Sequence, residues 1–412
     1  VKYFSALLVS VASCAVVAVT SGQQLETSGN DGSTKYRITR LESRGGANNR
    51  GNSINDLGLV SGFTDSADGT SRRATLWFLG QRFTLGTLGG PNSNVAWPVK
   101  NNIGLVVGIA QTGDLQPRNA QWSCRAFFPT PDNTRFVCLG FVWEFGRMKR
   151  LPTLGGDNGF ATAANNRRQV VGWAETDFVD DTCDPDFQTL QFHAALWDLR
   201  RNVTHRLRPL GTDSSSAATA INDRGQVVGI SGDCDQAVGR LSARNAVIWQ
   251  NRVPKRLDDL GGPAWNTPMA INQRGDIIAG FATLPGDDPD NPRLRAVAWT
   301  TRPGVCPTLP GTNICDLGML PDHVTSQASG VNDRGQIVGT SCPAPPGLCR
   351  AFLYEDGALK DLNESKANTF GDQLENAMDI NQFGVIAGRA VNTDTRVRSA
   401  IVMTPTRPAS SR

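Results

Sequence analysis

Ala220-Ile221-Asn222-Asp223-Arg224-Gly225-Gln226-Val227-Val228-Gly229 decides the fold, because its turn chemistry recurs along the whole chain. An asparagine can bond its side chain to the backbone two residues on, and a glycine three places later tolerates positive φ. The pair therefore marks a tight hairpin with a bulge between two short apolar strands. The same Asn-x-x-Gly turn stands at Asn55, Asn101, Asn272, Asn332 and Asn381, and a copy at Asn165 ends in Arg168 where the others have glycine. The seven asparagines are spaced by 46, 64, 57, 50, 60 and 49 residues. Uneven spacing around a fixed core means one supersecondary unit with loops of variable length.

Outward from each turn the unit repeats. A strand such as Ala217–Ile221 precedes the turn and one such as Gln226–Gly229 follows it. A loop of variable length leads to a third strand that usually carries an aromatic residue, as in Asn245-Ala246-Val247-Ile248-Trp249 and Arg350-Ala351-Phe352-Leu353-Tyr354. A short glycine turn and a fourth strand, such as Leu359–Leu362, complete it. Four antiparallel strands in about fifty residues is the size of a propeller blade. The expected fold is all-β: a seven-bladed β-propeller of four-stranded antiparallel blades. The last unit has no fourth strand of its own, and Tyr36–Leu41 is a fourth-type strand with no unit. Docking it there closes the ring and removes exposed edges. Small residues two and four places before the asparagines, such as Ala218 and Ala220 or Ala161 and Ala163, are expected on one strand face by the period of two. Trp97 and Asp379 break that rule.

The first residues have the order of a secretory signal: Lys2, an apolar run to Val19, then Thr20-Ser21-Gly22. Val11-Ala12-Ser13-Cys14 resembles a lipobox, which makes a lipoprotein signal the alternative. The expected layout is signal peptide 1–22, linker 23–35, propeller 36–404 and tail 405–412, with no stable membrane span once the signal is removed. Eight further cysteines lie in or beside loops: Cys124, Cys138, Cys183, Cys234, Cys306, Cys315, Cys342 and Cys349. An even number in an exported chain reads as disulfides, whose pairing sequence alone does not choose. Loop positions suit Cys124–Cys138, Cys183–Cys234, Cys306–Cys315 and Cys342–Cys349. The expected location is extracellular or periplasmic.

These motifs resemble the HAF-repeat family of extracellular bacterial repeat proteins. Its pattern Ala-x-x-Ile-Asn-x-x-Gly-x-Val-Val-Gly, His-Ala-Phe-Leu-Trp, Asp-Leu-Gly-Thr-Leu-Gly-Gly is matched in part by Ala220–Gly229, Arg350–Tyr354, Leu85–Gly90 and Thr153–Gly156. The resemblance implies an exported repeat protein and no particular reaction or catalytic residue.

Candidate chemistry is sparse. Forty-one basic against thirty-eight acidic residues give a net charge of +3, which offers no general attraction for nucleic acid. His193, His205 and His323 lack metal-ligand spacing, and the acidic runs at 177–181 and 287–291 lack the order of a calcium loop. No cofactor is called for. In a propeller the loops between strands two and three, and between blades, share one face. That face carries the variable insertions, so it is the expected binding face. Trp97, Phe160, Trp265 and His323 are the candidate ligand-facing residues. The expected function is non-catalytic binding of an extracellular protein or glycan by a monomer. The alternative is a carbohydrate-active hydrolase or lyase, which needs carboxylates converging at a channel mouth.

Overall fold

The computed structural model describes residues 34–118, 122–128, 135–235, 239–288 and 292–406. The signal, most of the linker and most of the tail lie outside these residues. Among the described residues the fold is all-β apart from a short helix, Trp122–Phe127, and a 3₁₀ turn, Leu362–Ser365. Five of the sequence units form separate four-stranded antiparallel sheets with strands in chain order. Ser215–Ile221, Val227–Gly232, Asn245–Gln250 and Val253–Arg256 make one of them. The strands of the first and seventh units belong to one eight-stranded sheet, joined by a single parallel pairing of Asn48 with Arg398. Tyr36–Arg40 lies antiparallel to Arg398–Pro405, with Ile38 opposite Met403, in the fourth-strand place of the seventh unit.

The turns follow from their residues. Asn222 Oδ1 accepts the amides of Arg224 and Gln226, each at 3.1 Å, and Gly225 takes φ +80°. Arg168, in the copy without glycine, adopts the same left-handed conformation at φ +63°. Its guanidinium is held by both carboxylate oxygens of Glu144.

One expectation is corrected. The pairing register of the first strands shifts between the residues four and two places before the asparagine, as at Ala161/Ala163, Ala218/Ala220 and Ala328/Gly330. A bulge adds one unpaired residue and breaks the period of two. A Cβ on Gly51 would meet Ile401 and Gly388 of the seventh unit, whereas one on Gly330 would meet Asp379 of the unit that follows it. The two small positions therefore face opposite neighbours. The bulged residue is itself used: Thr219 Oγ1 donates to Val228 O at 3.1 Å and, across the sheet gap, to Pro268 O at 2.6 Å.

Adjacent sheets are tied by residues that recur. Each turn donates a backbone amide to a side chain of the next turn. The bonds run from Asp56 to Asn102, Asn102 to Asn166, Asn166 to Asp223, Asp223 to Gln273, Arg274 to Asp333, Asp333 to Gln382 and Gln382 to Asp56. The third-strand tryptophans are buried, and their indoles donate backwards: Trp197 to Pro152 O, Trp249 to Arg208 O and Trp299 to Asp258 O. Trp77 does the same to Glu42 O at 2.8 Å, just after Tyr36–Arg40. Burying a tryptophan with its N–H satisfied gives packing area without a desolvation penalty.

Candidate functional site

The seven asparagine turns meet around a cavity of about 180 Å³. Lys100, from the irregular stretch after the strand Gly89–Asn94, reaches across it. Its Nζ lies 2.9 Å from Asp379 Oδ1 and donates to Val331 O and Ile380 O. Asp379 is fully buried and also accepts the Ile54 amide at 3.0 Å. Burial raises its pKa, and Lys100 works against that rise. Asp379, an exception to the small-residue rule, thus has a partner carried by the segment where the other exception, Trp97, lies.

The long-loop side is built differently. Disulfides Cys124–Cys138, Cys183–Cys234 and Cys342–Cys349 staple loops that lie between second and third strands, whereas Cys306–Cys315 spans a third-to-fourth connection, on the side of the asparagine turns. All four pairs are those suggested by loop position. Asp180 lies beside Cys183 and Cys234, a grouping of metal-ligand type, but the sulfurs are consumed in the disulfide.

Trp97, Phe160 and Trp265 are brought into one apolar cluster with Phe127, Trp173, Phe192 and the first two disulfides. Trp97 meets Phe127 and Phe160 edge-on, at centroid distances of 5.6 and 5.4 Å. Phe160 is 0 % exposed and serves this cluster, while Trp97 and Trp265 are half-buried. Among the described residues the indole Nε1 of Trp97 has no hydrogen-bond partner. His323 lies apart, in a groove of about 840 Å³ between the sixth and seventh units, lined by Arg350, Asp361 and Arg396 among others. It is 8 % exposed, its Nδ1 is 2.9 Å from Ser341 Oγ, and burial and then Arg350 hold its pKa down. His193 is also buried; burial and then Arg206 hold its pKa at about 4, and its Nδ1 accepts from Arg206 Nε at 2.7 Å.

Sequence reasoning missed a charged cluster at the long-loop ends of the first and seventh units. Arg72 grips Asp65 with Nε and Nη2, at 2.7 and 3.0 Å. Glu375 is shared by Arg389, at 2.7 Å, and Arg398, at 3.0 Å. Arg50 stands between these pairs on the innermost strand Gly45–Ile54, opposite Phe63. The available signal was Arg50 itself: five places before the turn asparagine the other units carry uncharged residues, Ala96, Phe160, Ala217, Thr267, Gln327 and Asn376.

No family model matches the chain, and no curated protein matches it. Solved structures do. The chain is similar to the β-propeller domain of the Trilobed protease from Pyrococcus furiosus, at 10% identity over 92% of this chain and 100% of that one, with a TM-score of 0.49. It is similar to Pyrococcus horikoshii acylaminoacyl peptidase at 11% identity and TM-score 0.47, covering 86% of this chain and spanning about half, 51%, of the peptidase. It is also similar to TolB from Acinetobacter baumannii, at 8% identity over 85% and 80% of the two chains and a TM-score of 0.36. The fold is a propeller on the strength of its own four-stranded sheets; these likenesses assign neither activity nor partner.

Proposed function

We propose that the chain is a seven-bladed propeller closed by Tyr36–Arg40, and that it acts outside the cytosol as a non-catalytic, monomeric binding module of the HAF-repeat type. Its ligand is an extracellular glycan or protein taken on the long-loop face. One observation carries this reading. The recurring polar residues are spent on bonds between units, whereas the loops that differ from unit to unit are stapled by disulfides. Rigid loops on a rigid scaffold reduce the ordering cost of binding. Disulfides persist in oxidising compartments, which supports the location. Closure is supported by the return of the turn-to-turn bonds from Gln382 to Asp56. The hydrolase alternative needs free carboxylates, and Asp65, Glu375 and Asp379 are each tied to a cation.

The test is a glycan array probed with the full chain, followed by product analysis of every retained glycan. Retention of an intact glycan is the expected result. Release of shortened or unsaturated products would replace the binding reading with the hydrolase or lyase one.

A further inference from the structure

We propose that Arg50 is the anchor of an oxyanion site at the long-loop mouth, and that the ligand it takes there is a carboxylated glycan. The inference rests on the binding-face reading above and adds the chemical class of the ligand.

Arg50, Arg72, Arg389 and Arg398 bring four guanidiniums together, and Asp65 and Glu375 supply two carboxylates, leaving an excess of two positive charges. Arg72, Arg389 and Arg398 have carboxylate partners. Among the described residues Arg50 has none, and its Nε is buried without a hydrogen-bond partner. Its guanidinium carbon is 5.5 Å from the centre of the Phe63 ring, which Arg72 covers at 3.9 Å. Burial, then Arg389 and Arg72, hold its pKa down to about 9, so it remains charged at neutral pH. A partly buried cation beside like charges is costly unless something pairs with it. A guanidinium fork matches a planar carboxylate in two parallel hydrogen bonds.

The wall beside it points to a sugar. Arg72 Nη1 and Asn94 Nδ2 both donate to Phe127 O, at 3.0 and 3.2 Å, and Phe127 abuts the half-buried Trp97. Cation and aromatic surface thus adjoin, which suits a ring carrying an acidic group. A stack of bases would need several exposed aromatic platforms, and the disulfides are consistent with an oxidising compartment outside the cytosol.

The experiment titrates the full wild-type chain and R50Q with oligogalacturonate and with a neutral oligosaccharide of equal length. The wild type is expected to prefer the acidic oligomer by about tenfold or more, with the preference falling as salt rises. R50Q is expected to lose that preference without losing thermal stability, because it removes an unpaired charge. A destabilised R50Q would mark Arg50 as structural and overturn the assignment. Equal acidic binding by R50Q and wild type would also overturn it, while leaving glycan binding standing. No binding of either oligomer by the wild type would overturn the carboxylated-glycan assignment and leave the binding-face reading to the glycan array.

Discussion

Replacing Lys100 with methionine removes the cation that faces Asp379 across the axial cavity. The Lys100 side chain is only 15% exposed and that of Asp379 0%, so solvent is a poor substitute partner. Breaking a buried pair by deleting one member costs about 3–5 kcal/mol, because the other charge stays buried. Lys100 also satisfies Val331 O and Ile380 O, which K100M leaves without that donor. D379A should also be destabilising, since Lys100 keeps its charge without the carboxylate and the Ile54 amide loses its acceptor, offset in part by the two carbonyls that still hold Lys100. The double variant should cost less than the sum of the two single ones, because neither charge is then left buried without its partner.

The pH dependence has a definite sign. Burial raises the Asp379 pKa above its ordinary 3.8, and Lys100 opposes the rise, so K100M lifts it further. The folded state then holds a proton that the unfolded state has lost, and stability falls as pH rises from about 4 through the folded pKa. The cost of K100M should therefore be large at pH 8 and shrink towards pH 5. Urea denaturation followed by tryptophan fluorescence at both pH values measures it. A K100M penalty that is absent at pH 8, or that grows on acidification, would refute the reasoning.

Acidification should act in the opposite direction at His193. Its folded pKa of about 4 lies below the ordinary 6.5, so its stabilising contribution is full above pH 6.5 and fades as pH falls towards 4. The loss is about 3 kcal/mol, and H193N should flatten that part of the denaturation profile. G225A should lower stability by about 1–2 kcal/mol, because φ is +80° there and a Cβ would lie 2.6 Å from Arg167 Nη2; an unchanged melting temperature would count against the turn assignment. Replacing Cys183 and Cys234 together by serine opens a link between neighbouring units across 51 residues and should cost about 2–4 kcal/mol in non-reducing melts. If that variant melts like wild type, the loops are not being held by the bridge.

The asparagine turns, the four-strand unit and the cysteine-bearing loops were legible in the sequence because each rests on local chemistry that repeats. Asn222 and Gly225 declare their turn without reference to anything distant. The bulge at Thr219 was not legible, since an extra unpaired residue leaves the apolar pattern almost unchanged. Lys100 and Ile380 are 280 residues apart, and Asn48 and Arg389 are 341 apart. Pairings of that range occur once and have no period to betray them. Phe160 lies near a blade entrance, which in sequence makes it a ligand-facing candidate; only packing places it inside the Trp97–Trp173 cluster.

The pairing of Tyr36–Arg40 with Arg398–Pro405 bears on how the molecule is made. Tyr36–Arg40 is synthesised well before Arg398–Pro405 and must wait for that partner while the strands between them are translated. Loop-closure entropy grows only slowly with length, by about 0.6 kcal/mol per doubling, so the wait is a kinetic burden more than a thermodynamic one. Such long-range pairing slows folding, and during that interval an uncovered edge can pair with another chain. A nascent molecule is therefore most vulnerable to aggregation in the interval before Tyr36–Arg40 docks, and agents that occupy the free Arg398–Pro405 edge would act on newly made chains while sparing mature ones.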